Sequence, residues 1–191
     1  MILGDQDIRY YLEQKKLVIE PITEKTIREN GVDLTIDNKI AIEINYNIFP
    51  LVLDNELIDS HNEQDVKSRF KKVKATQDFS DEVPYFIIEP KTFVLLNTQE
   101  YVKFPDDLVG HCALRSSVAR HGFIAPPTIV DAGFEGTLTI EVFYAGIRPF
   151  KLYVGDRFLH LICEKTNSPV KNVYNGVYKG QRGVRIPKIL D

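Results

Sequence analysis

A single carboxylate in a threonine-rich strand raises the question of whether it serves acid–base chemistry. The segment "GTLTIEVFY" covers residues 136–144 and carries Glu141 near its middle. Side chains alternate along a strand, so one face holds Leu138, Ile140 and Val142, and the opposite face holds Thr137, Thr139, Glu141 and Phe143. A carboxylate on such a polar face is most simply a solvated surface group. If it is instead partly buried among hydrogen-bonding neighbours, it could move protons in a reaction.

Two arginines and two serines lie upstream in the segment "LRSSVARHGF", which follows a predicted strand. If Ser116 or Ser117 caps a short helix, the free backbone N–H groups at the helix start form an anion site. Arg115 and Arg120 could add bidentate contacts to phosphate oxygens. The segment is therefore a candidate site for a di- or triphosphate, and an ordinary surface helix start is the alternative.

Asp131, in "IVDAGFEG", lies between these two segments. An Asp before Ala-Gly at a strand end is usually a turn residue, and it could also accept a hydrogen bond from a ribose hydroxyl. The window from Arg115 to Glu141 thus offers cations for phosphates, an acceptor for a sugar and a candidate general base.

Other common catalytic motifs are missing from the sequence. The histidines and cysteines show no spacing typical of zinc sites, so we predict no bound metal. We expect His121 and His160 to be structural. The sequence has no Walker A loop, no dinucleotide glycine motif and no G-x-S-x-G nucleophile elbow, although a Ser-His-Asp triad stays open.

The composition is that of an ordinary globular domain. The chain has 191 residues, of which 43% are hydrophobic and 27% charged, and its net charge is −3. This balance does not favour nucleic-acid binding, and we expect the basic segment "KSRFKKVK" (67–74) to be a solvated face. No apolar run is long enough for a membrane helix, and the N-terminus is too polar for a signal peptide. With only two cysteines, a reducing cytoplasm is the simplest location.

Short strands separated by turns dominate the chain and predict an all-β barrel or sandwich with minor helix. Asp5 or Asp7 is expected to cap a helix through "IRYYLEQKK", and "TEKTIREN" is expected to form a helical turn. Residues 45–82 are polar and are predicted to form an irregular excursion or hairpin that carries little of the core. The strand candidates are "LVIEP", "VDLTI", "YFIIEP", "TFVLLNTQEYVKF", "LVGHCAL", "GFIAPPTIV", "GTLTIEVFY", "FKLYVG" and "RFLHLICEK".

Several of these segments together resemble the dCTP deaminase family of the dUTPase superfamily, particularly its archaeal members. The segments are "RSSVARHGF", "TIVDAGFEGTLTIEV", "NVYNGVYKGQRGV", "MILGDQDIRYYLE" and "NGVDLTI". The resemblance covers most of the chain except about residues 45–82. It implies one domain over residues 1–191, a distorted jelly-roll-like β-barrel, and a C-terminal closing tail at about 170–191. It also implies a homotrimer whose active sites are shared between subunits.

The same resemblance assigns roles to individual residues. It implies that Glu141 activates water for hydrolytic deamination of dCTP to dUTP without zinc, with Arg120 and Ser116 holding the base and the water. The dUTP would serve thymidylate synthesis, and Mg²⁺ would arrive with the triphosphate. The implied nucleotide contacts are Arg115, Ser116 and Ser117 for phosphates, Asp131 for the sugar, Thr139 and Ile140 for the pyrimidine, and Tyr174, Lys179 and Gln181 in the tail.

The sequence departs from the family pattern at several positions. Leu114 stands where many members have Gly, and "APPT" fills a shortened segment between Arg120 and Asp131. Val177 stands where many members have a phosphate-binding Lys, and Lys179 or Arg182 could replace that cation.

Three alternatives to a simple deaminase stay open. A bifunctional enzyme would convert dCTP directly to dUMP, and a dUTP pyrophosphatase would use Asp131 to activate water against phosphorus. A catalytically silent trimer would bind dCTP, dUTP or dTTP without turnover.

Overall fold

The computed structural model describes residues 1–44 and 60–189, which are mainly β with short helices. The helices are α1 (Asp5–Glu13), α2 (Glu63–Ser68) and α3 (Ser116–Ala119). The strands are β1 (Val18–Glu20), β2 (Ile27–Arg28), β3 (Gly31–Thr35), β4 (Lys39–Glu43), β5 (Phe70–Lys74), β6 (Tyr85–Ile88), β7 (Thr92–Lys103), β8 (Leu108–Leu114), β9 (Phe123–Ile124), β10 (Thr128–Val130), β11 (Glu135–Tyr144), β12 (Phe150–Tyr153) and β13 (Arg157–Lys165).

The strands form two large antiparallel sheets and one separate antiparallel pair. One sheet has the order β5-β4-β7-β11-β9, with β1 also paired to β7, and the other has the order β10-β8-β13-β3-β2. Strands β12 and β6 form the remaining pair. The prediction of a mainly β fold with few helices is confirmed. Within the described ranges the sheets stay open, so the expected closed barrel is not found.

One hydrophobic core lies between the two large sheets. It takes Leu34 and Leu161 from one sheet and Leu96 and Ile140 from the other, all of them buried. β13 keeps much of the alternation expected of a half-exposed strand, whereas β3 and β7 are buried on both faces along most of their length. A smaller cluster joins Ala41, Phe70, Leu95 and Val184.

Three local predictions about the helices and turns were wrong. Helix α1 is capped by Gly4, and Asp5 and Asp7 lie in its first turn. There their negative charges interact favourably with the positive end of the helix dipole. Helix α3 is capped by Arg115 without a side-chain hydrogen bond, so neither serine is the cap. The segment "TEKTIREN" forms a turn followed by β2.

The predicted strand "GFIAPPTIV" is interrupted by its two prolines and forms the separate strands β9 and β10. Proline lacks the N–H that a sheet ladder needs, which explains the break. The two short strands join different sheets, so this segment crosses from one sheet to the other.

The second half of the predicted excursion is more ordered than the sequence indicated. Residues 45–59 lie outside the described residues, whereas 60–82 include α2 and β5. Asn62 caps α2, and β5 pairs with β4 and buries Phe70. Lys71, Lys72 and Lys74 are exposed, in line with a solvated basic face.

The two cysteines occupy neighbouring strands of one sheet, Cys112 on β8 and Cys163 on β13, and both are buried and free. Burial raises the pKa of each thiol to about 12. Among the described helices, none combines the length and apolar character that crossing a bilayer would demand.

Candidate active site

The strand that carries Glu141 is irregular at its beginning. From Leu138 onward the predicted alternation holds, with Ile140 buried and Glu141 half-buried. The pairing with β7 shifts between Thr137 and Thr139, and the N–H of Leu138 donates to Oγ1 of Thr98 at 2.9 Å. This bulge buries Thr137, which the simple alternation had placed on the open face.

A cavity of about 380 Å³ lies beside this strand, between β10, β11 and the C-terminal segment. We call it the Glu141 pocket. It brings together six of the residues predicted from the sequence: Asp131, Thr139, Ile140, Glu141, Tyr174 and Gln181. Its other lining residues include Leu95, Phe134, Leu138, Tyr178 and Arg185. The structure therefore gathers the predicted sugar, base and proton-transfer residues at one place.

Glu141 lies opposite Leu95 of β7 and lines the pocket with a half-buried side chain. Its negative charge is one cause of the raised pKa of Cys112, after burial and the charge of Cys163. Within the described residues, no hydrogen bond or ion pair occupies the Glu141 carboxylate, so both of its oxygens can accept hydrogen bonds from a ligand or water.

Gln181 is buried and hydrogen-bonds to the bulge in β11. Its Nε2 donates to the carbonyl of Thr137 at 2.6 Å, and the N–H of Thr137 donates to the carbonyl of Gln181 at 3.0 Å. Gly136 lies alongside at φ +147, and a Cβ there would come within 3.1 Å of three Gln181 atoms. Oε1 of Gln181 is buried without a partner in the described part of the chain. A buried acceptor in that state is costly unless a ligand or a water molecule supplies a donor.

The residues around Gln181 cover the pocket along β11. The N–H of Tyr174 donates to the carbonyl of Ala132 at 2.8 Å, and its ring lies 5.5 Å from that of Phe134. The N–H of Arg185 donates to Oγ1 of Thr139 at 3.1 Å. These contacts tie the C-terminal segment to the strand that carries the predicted base.

A second cavity, of about 310 Å³, contains Arg115 and Ser117. We call it the arginine pocket. It is also lined by Val118, His121, Phe123, Phe150, Leu152, Asp156, Arg157 and Phe158. No residue of this set lines the Glu141 pocket, so one chain places the predicted phosphate contacts and the predicted base in different cavities.

Three predicted site residues lie outside both cavities: Ser116, Arg120 and Lys179, all exposed. Helix α3 spans only four residues, so its dipole offers little to an anion and the side chains must do the binding. Arg182, considered above as a substitute cation, packs its guanidinium over the ring of Tyr101 at 3.8 Å.

A buried carboxylate behind Arg115 was not predicted from the sequence. Asp33 of β3 is 2% exposed and contacts Nε of Arg115 at 3.1 Å, Nη1 of Arg157 at 3.3 Å and Nδ1 of His160 at 3.0 Å. His160 is therefore a partnered histidine, as expected, and His121 packs on Phe150 with ring centroids 5.2 Å apart. The available signal was the one that marked Glu141, a lone carboxylate inside an apolar strand.

Within residues 1–44 and 60–189, histidine, cysteine, aspartate and glutamate side chains form no group of three or more that could hold a metal ion.

The fold and the Glu141 pocket define a mainly β protein with a carboxylate-bearing cavity that the C-terminal segment covers. A model of the family described as dCTP deaminase-like matches residues 2–166, and the chain belongs to this family. The resemblance noted in the sequence is thereby confirmed.

Curated relatives match over nearly the whole chain. A dCTP deaminase of Metallosphaera sedula is 45% identical over 98% of this chain and 98% of its own length. A dCTP deaminase of Korarchaeum cryptofilum is 47% identical over 100% of this chain and 99% of its own. A probable deoxyuridine 5'-triphosphate nucleotidohydrolase of Sulfolobus islandicus rod-shaped virus 1 is 47% identical over 98% and 99%. These matches support an enzyme of deoxynucleotide metabolism.

A solved structure supports the fold. The 2'-deoxycytidine 5'-triphosphate deaminase from Agrobacterium tumefaciens superposes with a TM-score of 0.60 at 19% identity. The match covers 86% of this chain, and this chain spans about half of that one, 48% of its length.

Proposed function

We propose that the protein deaminates dCTP hydrolytically to dUTP and ammonia, with Glu141 as the general base and proton carrier. The observation that carries the proposal is the Glu141 pocket, whose lining includes a half-buried carboxylate and Gln181, a buried residue whose Oε1 has no hydrogen-bond partner among the described residues. Membership of the dCTP deaminase-like family and the names of the relatives support the choice of substrate.

The reaction needs one water molecule and two proton transfers to the cytosine ring system, one to N3 and one to the amino nitrogen. Glu141 takes a proton from water as the water oxygen bonds to C4 of cytosine, and N3 receives a proton. The amino group then leaves as ammonia after a further proton reaches its nitrogen, and C4 becomes a carbonyl. A positioned carboxylate can serve each transfer in turn, so the proposal includes chemistry without zinc.

The pocket supplies groups that would orient the nucleoside. Oε1 of Gln181 would accept a hydrogen bond from the amino group of cytosine. The uracil of dUTP has no amino group at this position. Backbone groups of Thr139 and Ile140 would contact the pyrimidine edge, and Asp131 would accept from the sugar hydroxyl. Tyr174 would lie over the nucleotide as part of the closing tail.

The phosphates would bind to Arg115 and Ser117, with Ser116 and Arg120 reaching the base and the water. Because these residues lie outside the Glu141 pocket of their own chain, we propose that a second copy supplies them within a homotrimer. Arg120 and Ser116 are exposed and so available to a neighbour. Mg²⁺ would accompany the triphosphate and offset its charge, and the enzyme would work in the cytoplasm to provide dUTP for thymidylate synthesis.

The first test is incubation with dCTP and Mg²⁺, with nucleotides separated by chromatography and ammonia and pyrophosphate assayed. Ammonia and dUTP in equal amounts are the expected products. Ammonia with dUMP and pyrophosphate would instead establish a bifunctional enzyme. If dCTP is unchanged while added dUTP is hydrolysed, the proposal fails and Asp131 becomes the residue to substitute.

A further inference from the structure

We propose that Arg157 is a further phosphate-binding residue and that buried Asp33 positions it together with Arg115 as a pair. The inference rests on the proposed function in one respect, that the ligand of the arginine pocket is the polyphosphate end of a nucleotide. Arg157 and Arg115 both line this pocket, and both contact Oδ2 of Asp33.

Asp33 is buried among cationic partners. Its side chain is 3% exposed, and an isolated carboxylate at such a depth would carry a large desolvation cost. Oδ2 meets Nε of Arg115 at 3.1 Å and Nη1 of Arg157 at 3.3 Å, while Oδ1 meets Nδ1 of His160 at 3.0 Å. The one buried charge therefore fixes the direction of two guanidinium groups at once.

In each arginine, some guanidinium N–H groups bond to protein acceptors and others have no protein acceptor among the described residues. Arg115 uses Nε for Asp33 and Nη1 for the carbonyl of Arg157 at 3.2 Å. Arg157 uses Nη1 for Asp33 and for the carbonyl of Lys25 at 3.2 Å. A guanidinium has five N–H donors. For Nη2 of both residues and Nε of Arg157, the described residues provide no acceptor, so these donors can bind an anion.

The pocket around the pair fits a phosphate chain. Ser117 adds a hydroxyl, and Phe123, Phe150 and Phe158 form apolar walls. Asp156 also lines the pocket, but it is exposed and its Oδ2 accepts the N–H of Tyr153 at 3.2 Å. With Asp33 and Asp156 counted, the formal charges of the pocket cancel, so directed guanidinium N–H donors rather than a net positive charge would hold the anion.

The test measures binding of three ligands: Mg²⁺–dCTP, inorganic tripolyphosphate and deoxycytidine. Arg157→Ala should weaken dCTP and tripolyphosphate binding by about tenfold or more, because charge-assisted hydrogen bonds are lost. Deoxycytidine, followed by ligand-observed NMR, should bind as it does to the wild type. In turnover, KM for dCTP should rise while kcat stays nearly constant.

Arg9→Ala is the matched control. The side chain of Arg9 is also 37% exposed and pairs with one carboxylate, Glu24, yet it lines neither cavity. Its binding of all three ligands should match the wild type. Asp33→Asn should weaken the two phosphate ligands selectively, because a neutral amide holds the two guanidinium groups less firmly. Arg157→Lys, which keeps the charge but loses the planar fork, should fall between wild type and Arg157→Ala.

The proposal is wrong if Arg157→Ala binds tripolyphosphate like the wild type, or if deoxycytidine binding falls by the same factor as dCTP binding. The second result would mean that Arg157 is merely structural. The proposed function could also fail alone. If the wild type binds tripolyphosphate, Arg157→Ala loses that binding, and the wild type does not convert dCTP, then the proposed function is wrong and the phosphate site is still supported.

Discussion

Glu141 and Asp33 are both lone carboxylates within strands, and they lie in different surroundings. Asp33 is buried against Arg115, Arg157 and His160, whose contacts fix the orientation of its carboxylate. Glu141 is half-buried at a cavity and meets no such partner in the described residues. A carboxylate that must gain and lose protons needs this second setting, because strong fixed partners would keep it ionised.

Glu141→Gln should abolish deamination while leaving dCTP affinity within about twofold. The amide keeps the size and polarity of the side chain but cannot take a proton from water, and loss of a general base costs about 10²–10⁴ in rate. The measurement is kcat from ammonia release, together with a calorimetric Kd for dCTP.

Glu135→Gln is the control for that experiment, since Glu135 begins the same strand and pairs with Lys103 at 3.6 Å outside the Glu141 pocket. Its kcat should stay close to that of the wild type. Comparable turnover in Glu141→Gln would remove Glu141 from the chemistry.

At the scale of elements, the C-terminal segment and β11 act as one unit. Gln181 pairs with the bulge, and Val184 enters the small cluster of Ala41, Phe70 and Leu95. Leu95 lies directly opposite Glu141 in the β11–β7 pairing. The anchor of the segment therefore touches the same wall of the pocket that supports the predicted base.

Val184→Ala should loosen this anchor by about 1.5 kcal/mol, the value of two buried methyl-sized groups. Because the loss falls on the cover of the pocket, KM for dCTP should rise by up to about tenfold with a small change in melting temperature. Val177→Ala is the control in the same segment, since Val177 is 63% exposed. An unchanged KM in Val184→Ala would show that docking of this segment does not support binding.

The sequence predicted most strands because alternation and turn residues are local signals. It placed β11 correctly but missed the bulge, since a shift of pairing depends on Thr98 in another strand. It overestimated helix in "TEKTIREN", where pairing with β3 draws the chain into β2. Asp33, Arg157 and His160 come together only through the pairing of β3 with β13, so no spacing in the sequence could reveal them.

At the scale of the whole molecule, the predicted site residues fall into two groups. Asp131, Glu141 and Gln181 share one cavity, while Arg115 and Ser117 share the other. The motif order along the chain predicted that these residues act together, but it could not tell whether they meet within one chain. The separation explains why a site assembled from two copies is the simplest arrangement for the proposed reaction.

Co-expression of Glu141→Gln with Arg120→Ala should restore activity that neither variant has alone. If each site takes Glu141 from one copy and Arg120 from the next, random assembly of equal amounts leaves about a quarter of all sites intact, and about one site in three within the mixed trimers. The measurement is ammonia release by mixed oligomers isolated through two different tags. Arg120 is exposed, so its replacement should leave folding undisturbed.

The control mixture combines Glu141→Gln with the double variant Glu141→Gln/Arg120→Ala, in which no complete site can form. No recovered activity in verified mixed oligomers of the test pair would mean that each site is built within one chain.

The two buried thiols provide an intrinsic reporter of how the protein opens. Only the thiolate reacts quickly with alkylating reagents, and burial raises the pKa of both Cys112 and Cys163 to about 12. Both residues belong to the paired strands β8 and β13 at the centre of one sheet. The rate at which a thiol reagent modifies the native protein therefore measures separation of that sheet, without any engineered label.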